Sequence, residues 1–154
     1  MIRLRFAVAA WALLSVVAAQ TPAGSAPAAA PMPANSSVPA YHAHPPAGPL
    51  PATQPPSKYR DPRVRTIYAL AAKIEPVLYQ LPCYCRCDKT LGHRSLLDCY
   101  VSDHASVCEV CLMEAAFAYQ ETRKGKTPAQ IRAEIEQGDW HAINVNDYIH
   151  QPRY

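Results

Sequence analysis

All six cysteines of this chain lie between positions 83 and 111, so its thiols are concentrated in one short part of the sequence. Cys83, Cys85 and Cys87 alternate with other residues in the segment LPCYCRCDKTLGH, and Cys99, Cys108 and Cys111 follow. Cysteines that staple distant loops together would instead be spread along the chain. The crowding makes a metal site the leading hypothesis, and any fold of this chain has to bring its other elements around that site.

The spacing of the first three cysteines favours metal ligation over disulfide formation. Two cysteines that are two positions apart would close a strained ring if they were joined, and they do not share one face of a helix. In extended backbone, positions 83, 85 and 87 lie on one side, which predicts that the three sulfurs point the same way. Cys108 and Cys111 form a Cys-x-x-Cys pair at a predicted helix start, where the helix dipole favours thiolates.

Thiolate-rich sites select Cu(I) or Zn(II), and His93, which follows Gly92 in a predicted loop, is a further candidate ligand. One tetrahedral zinc ion uses four ligands, so the sequence predicts either a multinuclear thiolate cluster or some cysteines that do not ligate. For His104, a capping or surface role is as well supported as ligation. The candidate metal ligands are Cys83, Cys85, Cys87, His93, Cys99, Cys108 and Cys111.

Three other interpretations remain open at this stage. An even number of cysteines in an exported chain is also typical of disulfides, which would give a disulfide-stapled interaction module without metal. Cys108-x-x-Cys111 could serve a dithiol oxidoreductase, and a bound metal cluster could transfer electrons. We find no residue pairing suited to hydrolytic or nucleophilic catalysis and no glycine-rich phosphate loop, which argues against an enzyme.

The N-terminus has the pattern of a secretory signal peptide over residues 1–19. Arg3 and Arg5 precede an apolar run, and small residues follow it at Val17-Ala18-Ala19. The run is shorter than the roughly 20 residues of a spanning helix, so we expect an exported periplasmic or secreted protein rather than one anchored by an uncleaved N-terminal segment. Cleavage would lower the net charge from +3 to +1, which argues against a nucleic-acid partner.

Residues 20–57 consist mainly of proline, alanine, serine and glycine. This composition lacks the large apolar side chains that offset ordering entropy, and it predicts a disordered, extended linker. The folded part is then a cysteine-rich helical domain over residues 58–139, with a C-terminal tail over residues 140–154 in which Trp140 and Ile149 could pack back onto the helices. A domain of this size often depends on a metal or disulfides.

Apolar spacing within residues 58–139 predicts a small all-α domain of about three to four helices that pack around the cysteine-rich loop. Asp61-Pro62 resembles a helix start, and the period continues to about Gln80, with Pro76 as a site where the helix could kink or end early. Ser106 is the predicted cap of the helix that carries Cys108 and Cys111. A last helix starts at Thr127-Pro128 and ends at Gly138.

The ordered cysteines also carry a family resemblance. PCYCRC at residues 82–87, followed by Leu91-Gly92-His93, Asp98-Cys99 and Cys108-x-x-Cys111, resembles the exported bacterial proteins named for a Pro-Cys-Tyr-Cys-Gly-Cys (PCYCGC) motif, over residues 62–137. The resemblance implies a metal-binding type of cysteine array without an established activity. Arg86 stands where the motif has glycine, which predicts that the backbone there is not left-handed. No cysteine suited to a lipid anchor lies near the cleavage point.

Together, these features predict an exported, non-enzymatic metal-binding protein. Its multi-thiolate site would sequester or deliver Cu(I), with zinc as the other candidate ion. The linker would let the domain reach a membrane or periplasmic partner protein, which is what delivery requires.

Overall fold

Residues 37–149 are described by the structure, a computed structural model. The predicted signal peptide, residues 20–36 of the predicted linker and residues 150–154 of the tail lie outside the described residues. Within residues 37–149 the regular structure is helical, without a strand, so the all-α prediction is confirmed. No helix of this range combines the length and apolar character that crossing a bilayer would require.

Six α-helices and four short 3₁₀ turns make up the described part of the chain. The long helices are α1, α5 and α6, and the shorter ones lie between α1 and α5. The α-helices are α1 (Pro62–Ala71), α2 (Glu75–Leu78), α3 (Cys87–Thr90), α4 (Leu96–Val101), α5 (Glu109–Arg123) and α6 (Pro128–Gln137), and the 3₁₀ turns are Pro56–Lys58, His104–Val107, Asp139–Ala142 and Val145–Tyr148.

Helix α5 lies at the centre and packs against α1, α2, α4 and α6. Three fully buried alanines, Ala115, Ala116 and Ala118, allow the neighbouring helices to approach closely. The aromatic rings of Tyr68 on α1 and Tyr100 on α4 meet edge to face, with centroids 4.8 Å apart. The N-terminal end of α5 therefore projects from a well-packed core into the cysteine-rich loop.

Several predicted helix ends are confirmed. The Asp61 side chain accepts a hydrogen bond from the Arg63 N–H at 2.8 Å and caps α1. Thr127 and Gln130 form a capping box at the start of α6, and Gly138 ends α6 with φ +89°. These signals are local in sequence, which is why they could be identified without knowledge of the tertiary structure.

The single helix predicted from Asp61 to about Gln80 is two helices. Helix α1 ends at Ala71, and α2 begins at Glu75 with Pro76 in its first turn. Proline is compatible with the first turn of a helix but not with its interior, so Pro76 starts a second helix where the apolar period alone would continue the first.

The prediction that Ser106 caps the helix of Cys108 and Cys111 is wrong. Ser106 lies within the 3₁₀ turn His104–Val107, where its hydroxyl donates to the Asp103 carbonyl at 2.7 Å. Cys108 itself occupies the N-cap position, and α5 begins at Glu109. Cys111 consequently lies in the first turn of α5.

Residues 37–57, assigned above to a disordered linker, lie against the helices at specific contacts. The Gln54 N–H donates to the Tyr100 carbonyl at 2.8 Å, and the Thr53 N–H donates to Glu75 Oε1 at 2.9 Å. The His42 ring stacks on Tyr79 with centroids 3.8 Å apart. Backbone and ring contacts of this kind do not need the large apolar side chains whose scarcity suggested disorder.

The C-terminal tail packs back onto the helices as far as it is described. Trp140, Val145 and Tyr148 are buried, whereas Ile149 remains exposed. The two 3₁₀ turns that carry the buried side chains contact α1, α5 and α6. The tail therefore completes the core where α1, α5 and α6 meet it.

Candidate metal centre

A tight turn, rather than an extended strand, brings the first cysteines together. The Arg86 N–H donates to the Cys83 carbonyl at 3.3 Å, which closes a turn over residues 83–86. The sulfurs of Cys83 and Cys85 are 3.3 Å apart as a result. The predicted convergence of the sulfurs is present, but the extended backbone from which it was argued is not.

A buried carboxylate on α5 binds the backbone of this turn. Glu114 on α5 is fully buried, and its Oε1 accepts the Tyr84 N–H at 2.8 Å. Burial raises the pKa of this carboxyl to about 8, although the Cys83 thiol and the Tyr84 N–H act in the opposite direction. Glu114 is hard to recognise from the sequence, because a glutamate in a helix is usually solvent-exposed. Its place one turn after Cys111, on the face of the cysteines, is the available clue.

Arg86 adopts the left-handed backbone conformation, with φ +64° and ψ +26°. The prediction that the backbone at this position is not left-handed is therefore wrong. Its guanidinium donates to the Ser37 carbonyl at 2.8 Å and lies 3.6 Å from the Asp88 carboxylate. These contacts offset part of the strain that the left-handed region imposes on a residue with a Cβ.

Two substitutions separate the backbone strain of Arg86 from its side-chain contacts. Arg86→Gly and Arg86→Ala both remove the guanidinium, but only alanine keeps the Cβ that disfavours the left-handed region. We expect the glycine variant to be more stable than the alanine variant by about 1 kcal/mol in urea unfolding. Equal stabilities would show that the turn relaxes out of this conformation at no cost.

Four thiols form a first potential metal-ligand group. Cys83 and Cys85 come from the turn, Cys87 begins α3 and Cys99 lies in α4, and their sulfurs all lie within 4.8 Å of one another. The sulfurs of Cys87 and Cys99 are 3.4 Å apart. Cys85 is partly exposed, whereas the other three are buried.

A second group combines three thiols with an imidazole. It consists of Cys85, His104, Cys108 and Cys111, whose ligand atoms again lie within 4.8 Å of one another. The Cys85 sulfur is 3.4 Å from His104 Nε2 and 3.7 Å from the Cys111 sulfur. Cys111 is buried, and the other three are partly exposed. This group therefore lies nearer the surface than the first.

The two histidines differ in their relation to the two ligand groups. His93, the predicted ligand, belongs to neither group, although its Nδ1 is 3.3 Å from the Cys99 sulfur. His104, which sequence analysis left open, belongs to the second group. The His93 and His104 rings meet edge to face, with centroids 5.5 Å apart. Burial lowers the pKa of His93 and so favours its neutral ring.

All six cysteines are free thiols, and their contacts do not divide into three pairs. Cys83 lies 3.3 Å from Cys85 and 3.4 Å from Cys111, while Cys85 also contacts Cys111. Four sulfurs at about 2.3 Å from one ion would be about 3.8 Å apart, close to these separations, whereas a disulfide needs about 2.05 Å. The arrangement suits soft-metal ligation.

The thiols around Cys85 favour its ionised form. Hydrogen bonds from the thiols of Cys108, Cys111 and Cys83 lower the pKa of Cys85, whereas the same network raises the pKa of Cys111. This sulfur belongs to both ligand groups. A thiolate is the form that binds metal, so the lowered pKa suits Cys85 to ligation.

The N-terminal segment covers the buried side of the centre. Pro39 is fully buried, and with Ala40 it lines a small space beside Cys83, Cys87 and His93. Together with the Arg86–Ser37 contact described above, this packing shields the first ligand group from solvent.

Comparison with known protein families identifies the chain. The model of a family described as "Protein of unknown function with PCYCGC motif" matches residues 56–142, which is more than half of the chain, so the protein belongs to this family. The resemblance inferred from the cysteine order is thereby confirmed. Comparisons with curated proteins and with solved structures gave no match.

Proposed function

We propose that this protein is an exported, non-enzymatic metal-binding protein that sequesters or delivers Cu(I), with Zn(II) as the other candidate ion. The convergence of six sulfurs and an imidazole from the turn, α3, α4, the 3₁₀ turn at His104 and α5 carries this proposal. Separate segments of a chain rarely bring so many thiols together unless a ligand holds them, because each buried thiol could otherwise be replaced by a better-packing apolar side chain.

The donor set favours a soft ion over a hard one. Thiolates and imidazole suit Cu(I) and Zn(II), while magnesium and calcium prefer oxygen ligands. Partial exposure of Cys85, His104 and Cys108 provides a route by which a partner protein's thiols could replace these ligands one at a time. Export would place the protein where a metal-handling partner lies in or near the membrane, and the proline-rich segment before residue 37 would supply reach.

Bound metal and thiol content, measured on the same sample, test the proposal. We expect the protein purified from the exported fraction without added metal to contain stoichiometric copper or zinc, and to show six free thiols after the metal is removed. Metal-free protein with no free thiols would contradict it and would support a disulfide-stapled module. Competition with a Cu(I)-selective chelator and with a Zn(II)-selective one then decides which ion binds more tightly.

The intact mass of the same sample tests export. Cleavage after the small residues near Ala19 should remove the N-terminal segment with Arg3 and Arg5. A full-length mass would favour the uncleaved, membrane-anchored alternative.

A further inference from the structure

We infer that the centre holds two metal ions and that the Cys85 thiolate bridges them. This inference rests on the proposed metal-binding function. It specifies how many ions bind, which ligand they share and which of them exchanges faster. The first ion would be held by Cys83, Cys85, Cys87 and Cys99, and the second by Cys85, His104, Cys108 and Cys111.

The number of ligand atoms supports a shared sulfur. Two four-coordinate ions need eight ligand positions, and the two groups together contain six sulfurs and one imidazole nitrogen. If one sulfur binds both ions, the seven atoms fill all eight positions. Cys85 is the member that the groups have in common, and a thiolate sulfur has the lone pairs to bind two soft cations.

The position of Cys85 agrees with this count. Its sulfur is 3.3 Å from Cys83 in the first group, and in the second it is 3.4 Å from His104 Nε2 and 3.7 Å from Cys111. The two groups also meet at Cys83 and Cys111, whose sulfurs are 3.4 Å apart. The two ligand sets therefore share one sulfur, touch at a second point and belong to the same cluster.

His93 takes an outer role in this arrangement. With all eight positions filled by other residues, its ring contacts the Cys99 sulfur at 3.3 Å as a hydrogen-bonding partner. Outer-shell partners orient a metal ligand and tune its basicity. Replacement of His93 should therefore lower the affinity for the first ion without abolishing its binding. Replacement of His104 removes a ligand of the second ion.

The two ions should exchange at different rates. Three of the four ligands of the first ion are buried, and Pro39 lies beside two of them, Cys83 and Cys87. Three of the four ligands of the second ion are partly exposed. A closed site retains its ion, so the second ion is the one that a chelator or a partner protein removes first.

Cadmium provides a direct test, because ¹¹³Cd is visible by NMR and replaces soft ions at thiolate sites. The purified reduced chain should bind two Cd(II) ions and give two ¹¹³Cd resonances, and the Cys85 β protons should correlate with both. Binding of one ion, or correlation of Cys85 with one resonance alone, would overturn the inference and leave the proposed function intact. Binding of none would sink the proposed function itself.

Matched serine variants test the same point by stoichiometry. Cys87→Ser should lose only the first ion, and Cys108→Ser only the second. Cys85→Ser should lower the affinity for both ions. A Cys85→Ser protein that keeps one ion at wild-type affinity would contradict a shared thiolate. The NMR experiment needs no variant, so it decides the question even if a variant does not fold.

The histidine pair adds a control. His104→Ala should lower the affinity for the second ion by at least about tenfold. His93→Ala should leave two ions bound, with the affinity for the first lowered by about 10–100-fold. Equal effects of the two variants on the second ion would contradict the ligand sets assigned above.

Discussion

Removal of bound metal from the reduced protein should lower its unfolding temperature by about 15 °C or more. The ligands come from the turn, α3, α4, the His104 turn and α5, so an ion adds strong bonds between segments that otherwise meet through packing and a few hydrogen bonds, such as that from the Tyr84 N–H to Glu114. A ligand present at about 1,000 times its dissociation constant contributes about 4 kcal/mol. Each kcal/mol shifts the unfolding midpoint of a domain of this size by several degrees.

Circular dichroism melts with and without a strong chelator, both under reducing conditions, measure this effect. Return of the original midpoint when Cu(I) or Zn(II) is added back excludes damage by the chelator. Cys108→Ser serves as the matched control, because a protein that has lost one ion should show a smaller shift on chelation. An unchanged wild-type midpoint would mean that the thiols cluster without holding a metal.

The features predictable from the sequence are those encoded by nearby residues. Asp61, Thr127 and Gly138 mark helix ends because a cap needs only its own turn. The convergence of the cysteines was also predictable, since their spacing is unsuited to disulfides between neighbours. The prediction for residues 83–87 had the correct outcome but the wrong backbone, because a turn and a strand can both bring sulfurs at i and i+2 to one side.

The features that were missed depend on contacts between distant residues. His104 becomes a ligand candidate through Cys85, 19 positions earlier, and no local pattern distinguishes that role from a surface one. Residues 37–57 are placed by bonds such as that from Gln54 to Tyr100, which leave no periodic trace in a proline-rich segment. Arg86 tolerates a left-handed backbone because its guanidinium donates a hydrogen bond to the carbonyl of Ser37, 49 positions earlier.

Glu114 should make the metal-free protein less stable as the pH rises from about 4.5 to about 8. Its pKa is about 8 in the folded protein, against an ordinary value of 4.5, so between these values the folded state binds the proton more often than the unfolded state. Stability therefore falls with rising pH across this window. The difference in pKa corresponds to roughly 5 kcal/mol of unfolding free energy.

Glu114→Gln isolates this contribution. The amide cannot ionise, yet its oxygen can still accept the Tyr84 N–H that Glu114 binds at 2.8 Å. In urea unfolding of reduced, chelator-treated protein, the variant should have a flatter pH dependence than the wild type and should be the more stable of the two at pH 8. Equal pH dependence in both proteins would show that burial does not keep this carboxyl protonated.

Glu114→Leu distinguishes loss of the charge from loss of the hydrogen bond. It removes the ionisable group as glutamine does, but it leaves the Tyr84 N–H without its acceptor, which costs about 1–3 kcal/mol for a buried group. We therefore expect the leucine variant to share the flat pH dependence and to be less stable than the glutamine variant at every pH. Because the Tyr84 N–H lies inside the turn of Cys83 and Cys85, the leucine variant should also bind metal more weakly than the glutamine variant.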